Sequence, residues 1–168
     1  LIELDRNNLA AARTSLEQLR AILADNAINA TNYKPTYKFY LHLSARILAR
    51  EGRTAETNEI ITDLEWIKTK LGYWSTAYDY AFFYDAIGQI YEEMNQSEPA
   101  EQSYREALNY NPHYALARFH LSHLLHGEGM HEDAKVEIEK FLADWSEADP
   151  EAPELIEARA IRSFGTAP

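Results

Sequence analysis

Apolar residues recur at three- and four-residue steps along almost the whole chain, and strand-like alternation is nearly absent. Leu9, Ala12, Leu16, Leu19 and Leu23 form the first such stripe, one face of an amphipathic helix. Stripes of this kind predict helices over 8–25, 36–50, 55–71, 76–94, 98–110, 114–126, 132–145 and 152–163. The six Gly and six Pro fall mostly between stripes, where chain-breaking residues belong. Gly52 and Asn95 read as helix ends, Ser97 and Asn111–Pro112 as helix starts, and Ser75 as a cap following a stop at Gly72. The pattern predicts an all-α fold.

The stripes are not independent of one another. Tyr84-x-x-Ile87-Gly88-x-x-Tyr91, then Ala100-x-x-x-Tyr104-x-x-Ala107, then Pro112, resembles a tetratricopeptide repeat, with Tyr84 and Tyr104 replacing the usual Trp and Phe. Small residues at Gly88 and Ala100 let two antiparallel helices approach closely, and large residues fill the space on either side. One period of about 34 residues onward, Ile87, Gly88, Tyr91, Ala100 and Tyr104 fall on Leu121, Ser122, Leu125, Ala134 and Ile138. Moving backward, Leu41, Ala45, Leu48, Thr57, Ile61 and Leu64 fit the same scheme, with Thr57 where Ala is preferred.

The resemblance implies a right-handed superhelical solenoid of antiparallel helix pairs with a C-terminal capping helix. Its expected parts are a partial repeat over 1–26, a loop over 27–37 and a degenerate repeat over 38–71. An insertion follows over 72–80, then full repeats over 81–114 and 115–148, and a capping helix and tail over 149–168. The segment from Phe141 to Pro150, with Pro153-Glu154-Leu155 and Glu157-Ala158-Arg159 after it, is similar to the closing segment of certain bacterial repeat arrays. Such arrays follow eukaryotic-like serine/threonine kinases and winged-helix regulators. In that lid, Leu155, Ile156, Ala160 and Ile161 are expected inside, with Glu154, Glu157 and Arg159 in water.

Composition narrows the partners. Within 168 residues, hydrophobic types make up 46% and charged types 26%, ordinary globular usage for a chain of single-domain length. The charge of −11 and pI near 4.9 exclude a nucleic-acid backbone or an anionic membrane as the main partner. Having no cysteine, the chain has no disulfide scaffold, Cys-based zinc site or thiol nucleophile. No apolar run reaches membrane-span length and no secretory pattern opens the chain, which makes the cytoplasm the expected compartment with the periplasm still open. A start at Leu1 without Met reads as a piece of a longer protein.

Candidate chemistry is sparse. His113, His120, His123, His126 and His131 cluster late in the chain near Glu128 and Glu132, but no His-Glu-x-x-His arrangement organises them. They read as surface and packing residues, with a zinc or nickel site as the alternative. Glu92, Glu93, Glu137 and Glu139 read as solvated helix faces. Ser103, Ser122 and Ser163 lie outside any Gly-x-Ser-x-Gly elbow, and Gly127-Glu128-Gly129 reads as an inter-helix turn. Tyr73, Trp74, Tyr78 and Tyr80 are either a sticky patch or filler around the insertion.

Three function classes remain: a non-catalytic scaffold for a protein or peptide, a self-associating regulatory segment, and a His/Glu metal-dependent enzyme. The scaffold leads, with no cofactor expected. The resemblance places groove-facing positions at Phe39, His42, Arg46, Ala49 and Arg50; at Phe82, Asp85, Gln89, Glu92 and Glu93; and at Leu116, Phe119, His123 and His126. These lack the Lys/Asn clamp with which chaperone-tail binders of the family hold a terminal carboxylate. The lining implies a ligand with an acidic end for His42, Arg46 and Arg50, apolar anchors, and a basic end for Asp85, Glu92 and Glu93. A homodimer is the second expectation.

Overall fold

The computed structural model describes residues 8–24, 35–70 and 76–163, and among them it contains helices and no strand. The chain divides into two compact units, Leu1–Lys70 and Leu71–Pro168. The first holds α1 (Leu9–Ala24), α2 (Pro35–Arg50) and α3 (Thr54–Thr69). The second holds α4 (Ala77–Glu93), α5 (Ser97–Tyr110), α6 (Ala115–Gly127), α7 (His131–Asp144) and α8 (Pro153–Ser163). The architecture is an all-α helical repeat.

Most departures from the sequence reading lie at helix starts. Pro35, expected in a loop, opens α2 instead; a helix's first turn needs no N–H from proline. The cap of α4 is Thr76, one residue beyond the expected Ser75, because Thr76 and Asp79 bond reciprocally as a capping box. Asn111–Pro112 does not start α6. The Asn111 side chain accepts from the His113 backbone at 3.1 Å, forming a turn, and the helix begins at Ala115. Gly72, Tyr73, Trp74 and Ser75 lie outside the described residues.

Three helices end on the same turn. Gly52, Asn95 and Gly129 take positive φ of 72°, 56° and 81°. At each, the next residue's N–H reaches back five residues: Arg53 to Leu48 (3.0 Å), Gln96 to Tyr91 (2.9 Å) and Met130 to Leu125 (2.9 Å). The left-handed residue's own N–H bonds Ala49, Glu92 and His126 respectively. These are Schellman turns, which satisfy the orphan carbonyls of a helix end and send the chain back along itself. Asn95 and Gly129 are 34 positions apart, one repeat period.

In the second unit α4 packs on α5, α5 on α6, α6 on α7 and α7 on α8, while α6 also touches α4 and α8. Gly88 of α4 lies hard against α5: a Cβ there would lie 2.5 Å from the Tyr104 ring. Ala100 and Tyr104 are fully buried, and so are their counterparts Ala134 and Ile138 one period later. Ser122, the counterpart of Gly88, is equally buried and donates its hydroxyl to the Phe119 carbonyl at 2.7 Å. A core of Tyr104, Phe119, Leu121, Leu125, Ile138 and Phe141 runs on to Leu155, Ala158 and Ile161 of α8. Those three residues form the inner stripe of α8. Ile156, expected inside, is 56% exposed and Ala160 also faces water, because they lie off the three-residue stripe that meets the core.

The first unit is thinner. α1 packs on α2 and α2 on α3. Ala12, Leu43 and Ile47 are buried, with Leu9, Leu16 and Leu19 packed against them. Thr57 occupies the Ala position fully buried, its hydroxyl donating to the Arg53 carbonyl at 2.9 Å. That bond satisfies the polar atom a close-packed contact would otherwise leave without a partner.

Candidate partner-binding surface

In the first unit α2 carries the expected groove residues. Phe39 is 40% exposed, with the Lys38 ammonium 5.5 Å from its ring centre. Arg50 is half-buried. His42, at 2% exposure, and Arg46 and Ala49 are buried, so their side chains are not open to a ligand. This corrects the placement of His42 and Arg46 on an open groove, and with it the ligand end drawn for Arg46.

In the second unit the expected residues divide the same way. Phe82 and Phe119 are buried and serve as core. Phe82 packs edge-on against Phe83, and Phe119 packs tilted against Phe141. Asp85, 3% exposed, is buried too. The His120 ring donates from Nδ1 to one Asp85 oxygen at 2.7 Å, and the Gln89 amide donates to the other at 3.0 Å. A carboxylate engaged twice from within is a strut between α4 and α6 rather than a contact for a basic ligand. Gln89, Glu92, Glu93, Leu116 and His126 are half-buried and His123 is exposed.

His120 of α6 lies against α4. Its neighbours Gln89 and Asp85 precede it by 31 and 35 positions, three short of the 34-residue step and one beyond it. His123 lies 4.0 Å from Glu157, which brings α8 onto the same face as α6. His126 meets His131 across the turn that follows α6.

Two glutamates read as solvated tie helices together. Glu92 accepts from the Tyr104 hydroxyl, joining α4 to α5. Glu137 accepts from Arg118 at 2.6 Å, joining α7 to α6, while Arg118 also donates to the Pro112 carbonyl at 2.5 Å. Ser103, Ser122 and Ser163 donate to the carbonyls of Pro99, Phe119 and Ala160. Among the described residues, no group of three or more His, Asp or Glu is assembled to hold a metal ion.

At the start of α4 the aromatics pack on one another. Tyr110 stacks between Tyr80 and Tyr84, with ring centres at 4.9 and 5.3 Å, and Tyr78 meets Tyr114 edge-on at 5.1 Å. Tyr78 and Tyr110 remain exposed while Tyr114 is buried. Burial pushes the Tyr114 hydroxyl well above the ordinary phenol range, and the nearby Asp85 carboxylate adds to the shift.

Residues 83–114, from the body of α4 through α5 to the cap of α6, match the tetratricopeptide repeat family. This segment is a tetratricopeptide repeat. No curated protein matches the chain. Tetratricopeptide repeats generally mediate protein–protein interaction and are generally not catalytic. Among the described residues, no helix is long and apolar enough to cross a membrane. Charge is unevenly divided along the chain. Residues 1–70 hold ten Lys and Arg against nine Asp and Glu, while residues 71–168 hold six against eighteen.

Proposed function

We propose that the second unit is a scaffold binding a basic protein segment on the face shared by α4, α6 and α8. We also assign repeats to residues 81–114 and 115–148, with α8 as the cap. The carrying observation is the continuity of that face. Gln89 reaches across from α4 toward His120 of α6, and His123 of α6 reaches toward Glu157 of α8. Leu116 adds apolar area, and Glu92, Glu93 and Glu157 add negative charge. Glu92 and Glu93 sit in the last turn of α4, where a carboxylate opposes the helix dipole by about 0.3–1 kcal/mol. Their placement there is costly to the helix and useful to a cationic ligand. The eighteen-to-six excess of acids in this unit would steer such a ligand and set its orientation, while apolar contact supplies most of the affinity. The likeness of the closing segment to bacterial signalling arrays supports a regulatory parent protein.

An array of basic, neutral and acidic peptides tests this with the wild-type chain and the variants Glu93→Lys, Glu157→Lys and Leu116→Ala. Basic peptides should bind best and weaken with salt, and each variant should reduce capture. Capture undiminished in all three would remove this face as the binding site. Light scattering across concentration separates it from self-association, which would appear as a mass of twice 19.3 kDa.

A further inference from the structure

The turn between α6 and α7 holds two imidazoles against each other. His126 lies in the last turn of α6 and His131 is the first residue of α7. Their Nδ1 atoms are 3.2 Å apart, with ring centres at 4.8 Å and ring planes inclined by 51°. His131 is exposed and His126 half-buried, so the pair is open to solutes.

The backbone fixes this approach. Glu128, Gly129 and Met130 donate to the carbonyls of Leu124, His126 and Leu125 at 3.1, 3.1 and 2.9 Å, and Gly129 holds a φ of 81°. The same turn closes α2 and α4, but with other residues at the matching places. One period earlier stand Glu92 and Ser97, and at the first turn Ala49 and Thr54. The turn therefore forms without imidazoles, and neither His126 nor His131 belongs to the buried core of the unit.

We infer that His126 and His131 form a two-imidazole site for a divalent ion of the nickel–copper–zinc group, with water completing its coordination. The spacing carries the inference. An ion bound to two imidazole nitrogens at about 2.0–2.1 Å in tetrahedral geometry holds them about 3.3 Å apart, against 3.2 Å here. Imidazole nitrogen suits these ions, whereas calcium and magnesium require oxygen donors. Among the described residues no third His, Asp or Glu completes the set, which makes this an open, exchangeable site rather than a closed structural one. A bound ion would clip the end of α6 to the start of α7.

The test titrates zinc(II) and nickel(II) into the full chain, following imidazole nitrogen resonances with zinc and thermal unfolding with both. One equivalent of zinc should shift the Nδ1 signals of His126 and His131 together, and both ions should raise the unfolding midpoint. His126→Gln and His131→Gln should each weaken binding more than about tenfold, as loss of a ligand requires, while His123→Gln should leave it unchanged. The site is overturned if zinc leaves both Nδ1 signals in place, which would make the pair a simple ring-to-ring hydrogen bond. Wild-type affinity in His131→Gln, or lost binding in His123→Gln, would overturn it equally.

Discussion

Gly88 shows how one missing side chain sets a helix pair. A glycine inside a helix costs about 0.5–1 kcal/mol relative to alanine, yet here alanine would place its Cβ 2.5 Å from the Tyr104 ring. That ring is fully buried and held at its hydroxyl by Glu92, so it cannot swing aside cheaply. Gly88→Ala should therefore destabilise the protein by roughly 1–3 kcal/mol, the usual cost of overpacking. Urea unfolding measures this, and an unchanged midpoint would mean that α4 and α5 are not in this register. The counterpart one period on solves the same problem with a small hydroxyl residue. Ser122 fits because it donates to a carbonyl of its own helix, as Thr57 does at the position that Ala100 holds in the second unit. Tyr114 makes a second prediction at this scale. Its hydroxyl keeps its proton in the folded chain above the ordinary value of 10.0. The folded state then binds more protons than the unfolded one in alkali, so this contribution is complete below about pH 10 and declines above it. Tyr114→Phe should flatten the fall of stability above pH 10 relative to wild type. Identical alkaline profiles would show that Tyr114 titrates normally.

Among elements, the ends of helices were partly visible in the sequence and partly not. Gly52 and Asn95 were legible as stops because the left-handed position of a Schellman turn favours Gly and Asn. Gly129, read only as part of a turn, takes the same place one period after Asn95. The start of α4 was misplaced by one residue, although its signal was present. Thr76 has Asp79 three positions on, as a capping box demands, whereas Ser75 has Tyr78. Thr76→Ala should cost about 0.5–2 kcal/mol by removing that cap. Thermal unfolding reads the loss, and no change would mean that α4 needs no cap beyond its packing. The inner stripe of α8 was misread because Ile156 and Ile161 are equally apolar; only packing against α6 and α7 selects Leu155, Ala158 and Ile161.

At the scale of the whole chain, α8 covers a core that α6 and α7 would otherwise leave open. Deleting residues 146–168 should expose the apolar side of Phe141 and Leu125, lowering solubility and raising mass in light scattering. A deletion product as monomeric and stable as the parent would reduce α8 to a linker. The overall charge of −11 is also a property of the second unit rather than of the chain, since the first is near neutrality. The helices among the described residues and the close contact at Gly88 and Ala100 were determined by sequence alone. They follow from local periodicity and from small residues recurring at a fixed step. The accessible surface was decided by tertiary structure. His42, Arg46 and Asp85 occupy positions that a repeat pattern assigns to an open groove, and all three are buried. Whether a polar side chain on a first helix meets water or a neighbouring helix depends on the stagger between successive helices, within one turn of the repeat period. His120 meets Asp85 because that stagger brings residues 35 apart together, and such an offset is set by how whole helices pack.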